Sequence, residues 1–81
     1  MDKPWKNPVS IALEGPETFV TIGTTQAASW ALIEDWPTEE GTALDRALTI
    51  CAEVIKGKRP AEDARQAFVD AANEAGLSIK A

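Results

Sequence analysis

The chain has 81 residues, 44% hydrophobic and 26% charged, with a formal net charge of −5 from 13 acidic and 8 basic residues. That length allows one small domain, residues 1–81, whose core is marginal, and the composition excludes wholesale disorder. The acidic balance disfavours binding to nucleic-acid phosphates, and no apolar run approaches the roughly 18 residues that cross a bilayer.

Residues 1–6 lead into no hydrophobic segment with a small-residue cleavage site, so they are expected to form a flexible N-terminal lead on a cytoplasmic protein. A single cysteine, Cys51, can form no internal disulfide. Pro8–Leu13 alternates, with Val9, Ile11 and Leu13 on one face of a strand. Glu14-Gly15-Pro16-Glu17 is a turn signal, and Thr18–Ile22 is a second strand with Val20 and Ile22 facing one way and Phe19 the other. The pair predicts a β-hairpin with a four- or five-residue loop.

Thr24 or Thr25 offers an N-cap for a first helix over 26–35. Ala28, Ala31, Leu32 and Trp36 share its inner arc, Trp30 lies nearly opposite and Ile33 at the edge. Pro37 ends it. The second helix runs from Thr42 or Ala43 to Lys56, burying Leu44, Ala47, Leu48, Cys51, Val54 and Ile55, with a capping box from Thr42 and Asp45 and a stop at Gly57. Pro60 opens the third, whose arc is Ala61, Ala64, Ala67, Phe68, Ala71, Ala72 and Ala75, closed by Gly76. Leu77-Ser78-Ile79 is a short final strand. The expected class is α+β, in the order ββαααβ, with the helices packed on one face of a small antiparallel sheet.

Chemistry is thinly represented. With no histidine and no tyrosine, imidazole-dependent nucleophiles and most metal sites are not available within one chain. The carboxylate pairs Glu34-Asp35, Glu39-Glu40 and Glu62-Asp63 diverge by about 100° on a helix and read as solvated charge. Cys51 on the core arc reads as a small hydrophobe. The expectation is therefore no enzyme, no cofactor and no metal. Lys56, Lys58 and Arg59 at a helix end suit its negative dipole better than an anion site. Arg65, at the rim of the alanine arc, suits a structural or interface fork, with a weak pair to Glu62, better than a ligand contact. Phe19 and Trp30 point away from the expected core; partner contact and incidental exposure are both open for them.

Asn7-Pro8-Val9, Trp36-Pro37, Cys51 and Ala64-Arg65-x-Ala67-Phe68-x-x-Ala71-Ala72-x-Glu74-Ala75-Gly76 together resemble the bacterial domain-of-unknown-function family numbered 982, from about Trp5 to Ile79. The resemblance implies a short single-domain protein without an established activity, and it supplies no catalytic residues. The expected function is a protein-interaction or regulatory module, self-associating or with another protein, through Phe19, Trp30 and Arg65. Small anionic-ligand binding, or a nucleic-acid-associated regulator, is the alternative.

Overall fold

Alternation at Val9, Ser10 and Ile11 puts two β-branched side chains on one face of a strand, and that strand becomes the centre of the sheet. The computed structural model describes residues 4–13, 15 and 17–80. Strand β1 (Pro4–Ile11) pairs antiparallel with β2 (Val20–Thr24) and with β3 (Ile79–Lys80), in the order β2-β1-β3. Val9 faces Ile22 across the ladder, and Ile11 lies between Val20 and Ile79. Val9, Ile11 and Ile22 are buried. Ser10 and Thr21 lie on the opposite face, their hydroxyls 3.3 Å apart. The sheet thus has one covered and one open face, and the expected ββαααβ order forms.

The N-terminal segment differs from expectation. Residues 4–6 are strand rather than a flexible lead; residues 1–3 lie outside the described residues. Trp5 is buried, its Nε1 donating to the Thr25 hydroxyl at 3.0 Å. A buried indole contributes apolar area and here also satisfies a buried hydroxyl, which holds the segment down. The strand was hidden in the sequence by an irregularity: five steps along β1, from Val9 back to Pro4, match two along β2, from Ile22 to Thr24. Such a bulge breaks the alternation that marks a strand. The second strand begins at Val20 rather than Thr18, so residues 12–19 link the pair and exceed the expected loop. Within the expected turn, Glu14 and Pro16 lie outside the described residues.

Helix α1 (Thr25–Trp30) starts at Thr24, whose hydroxyl accepts from the Ala27 amide at 3.1 Å. It continues as a π-helical turn over Ala31–Asp35. A π turn winds more residues per turn than an α turn, so the 100° periodicity stops there. Ala31 and Leu32 stay buried, whereas Ile33 is 66% exposed. Trp36 is extended ahead of Pro37 and rests on Phe68, ring centroids 5.4 Å apart.

Helices α2 (Thr42–Ile55) and α3 (Ala61–Glu74) end alike: Lys58 N–H bonds to Glu53 O at 2.8 Å, and Leu77 N–H to Ala72 O at 2.9 Å. At Gly76, φ of 74° lets the chain leave α3 in this left-handed closure. Ala64, Ala67, Phe68, Ala71 and Ala72 are buried, as their spacing predicts. On α2 the buried arc is rotated towards α3. Ile50 is buried, while Ile55, about 140° round the helix from it, is 54% exposed rather than core. Among the described residues no helix is long and apolar enough to cross a membrane.

The two core tryptophans differ in one respect. Trp5 has an acceptor for its N–H, whereas Trp36 Nε1 is enclosed without a protein partner. Trp5→Phe should therefore cost about 1–2 kcal/mol more than Trp36→Phe, because only the former strips a buried hydroxyl of its partner. Equal losses in urea unfolding of the two variants would contradict this account.

Candidate functional site

Arg65 stands at the rim of the alanine arc, as its place on the helix predicts, with its side chain 15% exposed. Nε donates to the Asn7 carbonyl at 2.7 Å, and Nη1 pairs with Glu62 at 3.4 Å. Asn7 sits in the irregular stretch of β1, so Arg65 fastens α3 to the part of the strand that the ladder does not hold. Two of its three nitrogens are thereby engaged within the chain.

Glu74 holds a contact that local sequence does not announce. Its carboxylate accepts from the Ala43 and Leu44 amides, at 3.0 and 3.3 Å, and so caps the N-terminus of α2. The capping box expected from Thr42 and Asp45 does not form: Gly41 is the N-cap and no side chain of its own segment caps the helix. A carboxylate supplied by α3 satisfies the same orphan amides and complements the helix dipole. Gly41 makes room for it, since a Cβ there would meet the Glu74 carboxylate.

The basic cluster after α2 divides by role. Arg59 joins the two helices, its Nε 2.9 Å from Glu53 and its Nη1 3.4 Å from Asp63. The Glu53 hydrogen bond and charge, with help from Asp63, raise its pKa further above the usual arginine value. Lys56 and Lys58 are exposed and make no ion pair among the described residues. Arg59 also borders a shallow cleft of about 160 Å³ between α2 and α3, with Arg46, Ile50, Asp63, Gln66 and Asp70. Two arginines there face two aspartates, so the cleft carries no net positive charge for an anion.

Phe19 and Trp30 are not brought together. Phe19, just before β2, lies towards the open face of the sheet, half-buried beneath Lys80, whose Nζ is 4.4 Å from the ring centroid. That contact is a cation–π interaction reaching across the sheet. Trp30 projects from the helical layer on the other side and is 54% exposed. Its neighbour one turn on is Ile33, which periodicity placed only at the arc edge. Ile55 at the end of α2 joins them as a large exposed apolar side chain. Helical periodicity sets Ile33 about 60° from Trp30, whereas the exposure of Ile55 depends on which side of α2 the third helix packs.

Charge is unevenly distributed around these residues. Residues 7–45 contain seven acidic side chains and no lysine or arginine. Glu34 and Asp35, exposed beside Ile33, make no ion pair among the described residues. The exposed Trp30 and Ile33 are thus followed directly in the chain by two exposed acidic residues.

A family model described as "Protein of unknown function (DUF982)" matches residues 7–79. No curated protein and no solved structure matches the chain.

The Glu74 cap and Gly41 form one unit, so their substitutions should be strongly non-additive. Glu74→Ala should lose about 1 kcal/mol by removing the cap. Gly41→Ala should lose more than that, through an unfavourable φ and displacement of the carboxylate. The double variant should be more stable than the sum of the two losses allows. Additive losses in a denaturant double-mutant cycle would show that the two residues act separately.

Proposed function

The chain belongs to the DUF982 family, whose description assigns no activity, and we propose that it is a non-catalytic protein-interaction module that docks through the outer face of α1 and its π turn. The observation that carries this reading is the exposed pair Trp30 and Ile33, 54% and 66% accessible on consecutive turns. Tryptophan is enriched at the centres of interfaces, and an aromatic–aliphatic pair with a charged border is the usual anatomy of a docking patch. On this reading the module works in the cytoplasm, with its one thiol, Cys51, reduced and buried. Nucleic acid suits this surface poorly, because the exposed Glu34 and Asp35 next to Ile33 would repel phosphates. Small-ligand binding in the α2–α3 cleft has less support, since charges there balance. Arg65, with its contacts to Asn7 and Glu62, is assigned to holding the fold and Phe19 to the open sheet face.

A photo-cross-linking residue in place of Ile33, expressed in the source cells, should yield a discrete protein adduct. The same residue at Asn73, exposed on α3, should yield none. Lack of an adduct at position 33 sinks the reading. Trp30→Ala, tested in parallel, should leave the unfolding free energy within about 0.5 kcal/mol, because the ring lies outside the core.

A further inference from the structure

We propose that the partner of this face is a second copy of the chain, turned end over end so that the acidic end of one α1–α2 layer meets the basic end of the other. This inference rests on the interaction-module reading and names its partner. Two surfaces on the same layer carry it. One is Trp30 and Ile33 with Glu34 and Asp35; the other is Ile55 with Lys56 and Lys58. Each combines exposed apolar area with charges that have no partner within the described chain, and the two signs are opposite.

Their placement suits a two-fold arrangement. Residues 36–41 join the π turn, which carries Glu34 and Asp35 and touches α2, to the start of that helix. Lys56 and Lys58 follow its last residue, about 20 Å further along a 14-residue helix. In a two-fold interface each patch meets the other patch on the partner, so both contacts form at once. Side-by-side pairing in the same direction would instead set Glu34 and Asp35 of both copies against each other. Charge thus selects the orientation, and the apolar side chains supply the area.

The test uses the purified full chain in sedimentation equilibrium at micromolar to 100 micromolar concentration. The wild-type chain should dimerise, more weakly in about 0.5 M than in about 0.02 M salt. E34K/D35K makes both patches positive, and K56E/K58E makes both negative. Each variant alone should dimerise at least about ten-fold more weakly. An equimolar mixture of the two should form a heterodimer within about three-fold of wild-type affinity, because every contact is again between opposite charges. All four side chains are exposed, and circular dichroism checks that each variant folds. A wild-type monomer throughout the range overturns the proposal, as does dimerisation of either variant alone at wild-type strength, or a mixture that stays monomeric. A monomer that still gives the Ile33 adduct in cells would leave the interaction module standing with a different partner. A dimer whose position 33 gives no adduct overturns the proposal, because its interface then lies on another surface.

Discussion

Phe68 is the side chain on which the packing of this small molecule converges. It is the largest wholly buried residue, and it rises from a helix face that is otherwise alanine. Trp5 from β1 stands at 6.1 Å and Trp36 from the end of the π turn at 5.4 Å, both tilted against its ring. Tilted aromatic pairs add directional preference to the burial of apolar area. Small residues on either side of Phe68 let neighbouring backbones approach, and the one large ring fills the space left between them. Strand, π turn and central helix thereby share one contact.

The rest of α3 serves the same end by polar means. Arg65 near its start fixes the irregular stretch of β1 through the Asn7 carbonyl, and Glu74 at its last turn caps α2. Gly76 then turns the chain so that β3 can reach β1. The motif through which the sequence resembles its family is therefore largely accounted for by packing, tethering and capping. Its residues explain why the fold holds together. Exposed apolar side chains with uncommitted charges lie elsewhere, on α1, the π turn and the end of α2.

Legibility followed the range of the forces involved. Ala64, Ala67, Phe68, Ala71 and Ala72 were readable because 3.6-residue periodicity is local, and the cap at Thr24 because a hydroxyl reaches only the next turn. Trp5 was missed because the β-bulge removed its alternation. Ile55 was misplaced because the buried arc of α2 depends on where α3 lies. Among the candidate site residues, Trp30 was legible as outward-facing from periodicity alone. Ile33 lies about 60° from it round the helix, and the joint roles of Gly41 and Glu74 needed two residues far apart in sequence to meet.

By itself the sequence determined the class of fold, the order of elements, the alanine-striped packing face and the poverty of groups for imidazole chemistry. These follow from side-chain type and short-range spacing, which any chain displays before it folds. Tertiary structure decided the sheet order, the burial of Trp5, the loss of Ile55 from the core and the substitution of Glu74 for a local cap. Each of these depends on which distant segments come into contact, and no local periodicity encodes that.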